Sequence, residues 1–224
     1  LANLLFTPTA TADENLHNEG IPEESILRVG DVMYDSVLYY TEKAGERSRV
    51  LENLGLEQAK YLLCTVHRAE NTDEASRLTA IVEGLTEVAE DISVIMPLHP
   101  RTGQALDEHQ LRDKLSDAVQ VIEPVGYLDM LHLQAHARLV ATDSGGVQKE
   151  AYCLGTHCVT LRAETEWLEL VESGWNQLAP PTTSRRVVEA LRTALASERP
   201  AKARQGLFGD GTAAKKICAA LRAS

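Results

Sequence analysis

The sequence predicts an α/β protein whose core is a doubly wound parallel sheet. Five short apolar runs carry that expectation: Tyr61 to Val66, Ser93 to Leu98, Val119 to Val125, Arg138 to Asp143 and His157 to Leu161, each bounded by turn residues. Helical segments fill the intervals, near Thr72 to Glu90, Thr102 to Leu115, Leu128 to Ala135, Val147 to Leu154 and Thr165 to Ser173. Repeated strand–helix units with apolar strands mean a parallel sheet covered by helices on both faces.

Taken in order, the chain opens on a strand-like Leu4 to Phe6. Thr7-Pro8-Thr9 then turns it into a polar helix over Thr11 to Asn18, ended by Gly20, and Ile26 to Val29 reads as a second strand. Two strands alone make no stable sheet, and nothing nearby offers them a partner. From Asp31 to about Leu54 the pattern is helical, with Met33, Val37, Tyr40 and Lys43 at three-to-four spacing and Gly45 as an interruption; such a helix suits a connection between domains. Gln177-Leu178-Ala179 adds a sixth strand to the sheet. Arg185 to Ser197 follows as a helix with Val187, Val188, Leu191 and Leu195 on one side. A break at Pro200, a short helix, the turn Gly209-Asp210-Gly211 and a last helix to Leu221 complete the chain. The first residue is Leu1 rather than methionine, and the expectation is a chain that begins partway through a longer protein.

With 224 residues, 44% of them hydrophobic and 25% charged, the composition is that of a globular protein with a substantial core. A formal net charge of −11 argues against nucleic-acid and anionic-membrane partners. Cys64, Cys153, Cys158 and Cys218 form no CxxC pair, which fits buried thiols in a reducing cytosol better than a disulfide framework. No apolar run reaches membrane-spanning length and no signal pattern opens the chain, so a cytoplasmic location is expected.

The stretch Arg138 to Glu150, RLVATDSGGVQKE, reads as strand, tight turn and helix. Such a junction favours an anion. The first turn of a helix has N–H groups without intrahelical acceptors, and the peptide dipoles place about half a positive charge there. Gly145 and Gly146 remove the Cβ atoms that would keep a phosphate away, and Ser144 can cap the helix or donate its hydroxyl. Glu150, under two turns further along, can accept from ribose hydroxyls if its face points inward. Taken alone, the motif is equally compatible with a well-capped turn.

Ligands of open parallel sheets bind outside the carboxyl ends of the strands, so the loops there decide the chemistry. His67-Arg68-Ala69-Glu70-Asn71 follows the first strand of the sheet and His99-Pro100-Arg101-Thr102 the second. Arg162-Ala163-Glu164-Thr165-Glu166-Trp167 follows the fifth. His67 and Arg68 can contact a diphosphate, with Glu70 orienting either, while His99 and Arg101 make a second cationic corner. In so acidic a chain, a cationic rim points to a phosphorylated small ligand. His132 and His136 sit four apart on a helix without a third ligand, so no metal is assigned. The run Glu164, Glu166, Glu169 and Glu172 reads as a solvated helix face, with Glu164 or Glu166 the member that faces the site. Ser144 lacks the GxSxG setting of a nucleophile.

Together, His67-Arg68-Ala69-Glu70-Asn71-Thr72, Pro97-Leu98-His99-Pro100-Arg101-Thr102, Asp143-Ser144-Gly145-Gly146-Val147-Gln148-Lys149-Glu150-Ala151 and Glu164-Thr165-Glu166-Trp167 resemble the non-hydrolysing UDP-N-acetylglucosamine 2-epimerases. Phe6-Thr7-Pro8-Thr9, Val29-Gly30-Asp31 and Gly209-Asp210-Gly211 are similar too, so the resemblance covers essentially the whole chain. It implies two Rossmann-like domains across a cleft, the GT-B fold, with UDP held chiefly by the second. By resemblance His67 contacts the diphosphate and is the catalytic candidate, Ser144, Gly145 and Gly146 cradle it, and Glu150 binds the ribose. Val125 to Met130 lies along the uracil, Met130 standing where the family often carries an aromatic residue. His99 falls where the family binds a second, activating UDP-sugar. Arg68, Glu70, Asn71, Arg101, Arg162 and Glu166 complete the candidate substrate or allosteric contacts.

The implied reaction is elimination of UDP to 2-acetamidoglucal and re-addition with inverted C2, with no cofactor and no metal. The expected division is a tail of an N-terminal Rossmann-like domain with a linker helix over 1–54, a UDP-binding Rossmann-like domain over 55–204, and a helical segment crossing back over 205–224. The rest of the first domain, with the residues that move the C2 proton, is expected outside this chain, so the chain alone should bind UDP weakly and catalyse poorly or not at all. Its partner is a UDP-sugar, and the full-length protein is expected to be a homodimer. UDP-2,3-diacetamido glucuronic acid is an alternative substrate. A GT-B glycosyltransferase and a non-catalytic UDP-binding module are alternative functions.

Overall fold

The computed structural model describes residues 2–198 and 206–223. The chain divides into two compact units, Leu1–Lys43 with Arg204–Ser224, and Ala44–Ala203.

In the first unit, strands β1 (Leu5–Thr7) and β2 (Ile26–Arg28) pair with each other in parallel, Leu5 opposite Ile26, and among the described residues no third strand joins them. Helix α1 (Ala10–Asn18) connects them, with the Thr9 hydroxyl accepting from the Ala12 N–H at its start. Asp13 fixes the join: it accepts from the Thr7 hydroxyl and, at 2.7 Å, from Arg28 Nε. Gly30, at φ +93°, lies so close to Phe208 that a Cβ would stand 2.9 Å from the Phe208 carbonyl oxygen, which accepts from the Asp31 N–H. The two glycine turns noted in the sequence, at Gly30 and Gly209, therefore pack backbone against backbone. Asp35 accepts from the Ala213 and Ala214 N–H groups and so caps the last helix, Ala213–Ala223.

The expected helix from Asp31 to Leu54 is two helices, α2 (Val32–Arg47) and α3 (Val50–Leu54), the second ending on Gly55 in the left-handed conformation. The break expected at Pro200 and most of the short helix after it lie outside the described residues.

The second unit is a six-stranded parallel sheet of β3 (Tyr61–Thr65), β4 (Ser93–Pro97), β5 (Gln120–Ile122), β6 (Leu139–Thr142), β7 (Cys158–Thr160) and β8 (Asn176–Leu178), in the order β5-β4-β3-β6-β7-β8. Alternate side chains of β3 enter different cores: Leu62 and Cys64 join Leu78, Ile81, Leu85 and Val187 on one face, while Tyr61 and Leu63 join Leu133, Val140 and Ala151 on the other. Both faces being buried explains why the strand runs are apolar throughout. The chain winds outward from β3 through β4 and β5, returns to β6 beside β3, and winds outward the other way. Connections leave in opposite directions at β3 and β6, which opens a crevice at their carboxyl ends, the usual ligand position in such sheets.

The helices between strands are α4 (Ala69–Thr72) and α5 (Ala75–Val88), then α6 (Pro100–Glu108) and α7 (Arg112–Ser116), α8 (Tyr127–His136), α9 (Gly145–Leu154), α10 (Leu168–Glu172) and α11 (Ser184–Ala196). The single helices expected over Thr72 to Glu90 and Thr102 to Leu115 are thus differently divided, the latter because Gln110 adopts φ +56°. Three of the four cysteines are buried as expected, but Cys218 is exposed. Among the described residues no helix is long and apolar enough to cross a membrane.

Candidate functional site

The loop after β3 and the turn after β6 meet at the crevice, and the residue that joins them is Asp143. Its carboxylate is fully buried and accepts from the His67 N–H at 3.0 Å, the Arg68 N–H at 2.9 Å and Asn71 Nδ2 at 3.0 Å. Above it, Ser144 caps α9 with its hydroxyl accepting from the Val147 N–H, and the Ser144 N–H donates to Thr142 Oγ1 at 3.0 Å. Thr142 and Thr65 share a hydroxyl hydrogen bond of 2.6 Å across β6 and β3. The first turn of α9, Gly145 and Gly146, is therefore held in place from below, with the positive end of the helix at the crevice.

Beside this turn lies a cavity of about 240 Å³ lined by Thr65, Val66, His67, Pro97, His99, Pro124, Val125, Met130 and Val147. Its lining is mostly apolar; the polar side chains are Thr65 and the two imidazoles, whose ring centroids are 5.3 Å apart. His99 Nδ1 accepts from the Arg101 N–H at 3.2 Å, which leaves Nε2 as the proton-bearing nitrogen of the neutral ring. His67 keeps its side chain about a third exposed, with Nδ1 3.7 Å from Asp143 Oδ1. At one end of the cavity Met130 and Val147 lead, one helical turn on, to Gln134 of α8 and Glu150 of α9. Gln134 Nε2 donates to Glu150 Oε2 at 2.7 Å. Burial raises the Glu150 carboxyl above its ordinary value, while hydrogen bonds from Gln134 and Tyr127 pull it back.

The guanidinium groups are placed differently from the rim the sequence suggests. Arg162 is buried and bonded at 2.6 Å to Glu70 and at 2.9 Å to Glu166, so its charge is spoken for; burial disfavours that charge, but the two carboxylates more than compensate and raise its pKa. Glu70 therefore orients neither His67 nor Arg68: it pairs with Arg162 and, at 3.4 Å, with Arg77. Arg101 makes no cationic corner with His99. It turns to Thr72 Oγ1 at 2.9 Å and to the Asp73 carboxylate at 2.8 Å, and its hydrogen bond holds Asp73 below the usual carboxylate range. Asn71 is fully buried, donating to Asp143 and the Leu161 carbonyl and accepting from Arg77 Nε, so it braces the loops from beneath.

Arg68 is the guanidinium that remains at the glycine pair. A Cβ on Gly145 would lie 3.6 Å from Arg68 Nη2, 3.3 Å from Glu166 Oε2 and 3.4 Å from Trp167 Nε1. Arg68 and Glu166 are 3.5 Å apart, a loose contact, and the Arg162 hydrogen bonds hold Glu166 below its ordinary pKa. Lys149 stands 4.1 Å over the Trp167 ring. The helix N-terminus, Arg68 and the two imidazoles offer donors for an anion next to a small apolar cavity. That is a site for a phosphorylated ligand with a flat or apolar end.

The sequence model of the UDP-N-acetylglucosamine 2-epimerase family matches residues 1–222. The chain belongs to that family. A UDP-N-acetylglucosamine 2-epimerase homolog of Methanococcus maripaludis is 44% identical over 225 residues, covering 99% of this chain and 61% of the relative. The UDP-2,3-diacetamido-2,3-dideoxy-D-glucuronate 2-epimerase of Pseudomonas aeruginosa is 43% identical over 221 residues, covering 97% of this chain and 59% of the relative. The solved Methanocaldococcus jannaschii UDP-GlcNAc 2-epimerase, in complex with UDP-GlcNAc and UDP, superposes with a TM-score of 0.89 at 39% identity and covers 99% of this chain and 61% of its own. The chain thus spans about three fifths of the length of these family members. Its α/β fold with a six-stranded parallel sheet matches part of these solved epimerases, which have the GT-B arrangement.

Two residues of the site escaped the motif reading. Asp143 read as part of a turn, although a carboxylate closing an apolar strand must find donors, and that was the available signal. Gln134 stands between the apolar Leu131 and Leu133 and the helix end, and its only sequence signal is a polar side chain on a buried helix face. His132 and His136 stack at 4.3 Å, with His136 Nδ1 2.9 Å from the His132 carbonyl oxygen. Burial, then the neighbouring His136, lowers the His132 pKa. Among the described residues no three His, Cys, Asp or Glu side chains are grouped to hold a metal ion.

Proposed function

We propose that this chain supplies the UDP-binding site of an enzyme that interconverts UDP-N-acetylglucosamine and UDP-N-acetylmannosamine by eliminating and re-adding UDP. The observation that carries the reading is that His67, on the loop clamped by Asp143, and Val147, in the helix turn begun by Ser144-Gly145-Gly146, line one cavity. The pyrophosphate belongs at the first turn of α9 beside Arg68, the uracil along Val125 and Met130, and the ribose at Glu150. Breaking the C1–O bond places negative charge on the departing diphosphate. The α9 N-terminus and His67 stabilise that charge more strongly as it grows, which is the condition for lowering the barrier.

His99 lines the same cavity as His67 and is the residue proposed to reach a second, activating UDP-sugar. Arg162, Glu70 and Asn71 hold the loops that carry these groups. Arg101 supports the His99 loop through Asp73. Membership of the epimerase family favours epimerisation over sugar transfer. A diacetamido glucuronate substrate remains the second reading because a relative of that name is 43% identical, and both substrates present the same UDP.

Calorimetric titration of the chain with UDP tests the pocket. His67→Ala and Glu150→Ala should each weaken UDP by about tenfold, the scale of one charge-assisted contact. Unchanged affinity in both variants removes the assignment.

A further inference from the structure

We propose that Gln134 is a positioning residue that makes the nucleotide site select ribose over 2′-deoxyribose, by fixing the Glu150 carboxylate. The inference rests on the UDP reading above and names a determinant within that site. Tyr127, Met130 and Gln134 recur at three- and four-residue spacing along α8 and so share a face; Val147 and Glu150 do the same on α9. Met130 and Val147 line the cavity, and the next turn of each helix carries Gln134 and Glu150, joined at 2.7 Å.

The orientation of the amide shows what it serves. Gln134 is fully buried, and its Oε1 has no hydrogen-bond partner among the described residues. Turning the amide over would bring Oε1 against the Glu150 carboxylate, oxygen to oxygen. The side chain instead leaves Oε1 unmatched and directs Nε2–H at Glu150, so the charge-assisted bond outweighs the unmatched oxygen. The Thr156 hydroxyl donates to the Gln134 carbonyl at 2.8 Å and steadies the last turn of α8 behind it. A carboxylate held in one plane presents fixed lone pairs to a vicinal diol. One that is free to rotate, or protonated in its buried setting, presents them to neither hydroxyl reliably. Burial works towards that neutral form, and the Gln134 hydrogen bond, followed by the Tyr127 hydrogen bond and the Lys149 charge, works against it.

Calorimetry with UDP and 2′-deoxy-UDP on the 224-residue chain tests this. The parent chain should prefer UDP by about tenfold or more, as expected where a site hydrogen bonds a ligand hydroxyl. Gln134→Met, close in volume, should cut that preference to below about threefold while changing 2′-deoxy-UDP binding by less than about twofold. Gln134→Leu, which removes the donor without adding a second carboxyl beside Glu150, should do the same, so a folding defect in either variant leaves the other to decide. In a Glu150→Gln background, Gln134→Met should leave the preference where Glu150→Gln alone puts it. Parallel weakening of both nucleotides, or an unchanged preference in both variants, overturns the role of Gln134 and leaves the UDP site standing. A parent chain that binds neither nucleotide overturns both.

Discussion

Asp143→Ala should destabilise the second unit by about 3–5 kcal/mol, measured as a shift in urea midpoint at constant slope, because three donors lose one acceptor. The His67 and Arg68 N–H groups and Asn71 Nδ2 all point at this fully buried carboxylate. Alanine returns nothing to them, and each stranded donor costs about 1–3 kcal/mol unless water enters. Asp143→Asn keeps the volume but turns one acceptor into a donor facing other donors, so it should lose a large part of the same stability. The same variants should lose UDP binding, since the loop that carries His67 and the turn that carries Gly145 are no longer tied together. A loss below about 1 kcal/mol for alanine would mean that the clamp contributes little to the loop.

Gly84→Val should destabilise by about 3 kcal/mol while leaving UDP affinity in the surviving folded fraction unchanged. Gly84 lies within α5 where α11 crosses it. A Cβ there would stand 2.6 Å from Val187 Cγ1 and 2.8 Å from Val187 Cβ. Val187 is short and branched, so it has no flexible end to withdraw, and the two helices must separate. Alanine gains about 1 kcal/mol of helix propensity in return for the smaller clash, so its net loss should be about 1–2 kcal/mol. Paired urea melts of Gly84→Ala and Gly84→Val give the series. Equal stability for parent and valine forms would show that the α5–α11 packing has room it does not display.

The contrast between these sites measures what the sequence could tell. The strands were legible because burial on both faces leaves runs such as Tyr-Leu-Leu-Cys-Thr with no polar interruption. The Ser144 cap and the start of α9 were legible because cap chemistry is local. Helix limits were less so. Thr165 to Ser173 reads as one helix, yet the Thr165 hydroxyl donates to Gln148 Oε1 and accepts from the Trp167 N–H, which ties 165–167 into the loop and delays α10 to Leu168. Of the residues the motifs single out, His67, His99 and Met130 line one cavity. The motifs could not show that Arg101 and Arg162 are engaged elsewhere, because Arg162 meets Glu70 across 92 residues and Arg101 meets Asp73 across 28. Ion pairing between loops is a property of the packed sheet, not of either loop's composition.

The first turn of α9 is the proposed binding place of the diphosphate. The most direct test follows the backbone amide resonances of Gly145 and Gly146 while the chain is titrated with UDP and, separately, with uridine. Saturable shifts of both amides are expected with UDP and none with uridine at equal concentration. UDP binding that moves other resonances and leaves those two amides in place would contradict that placement.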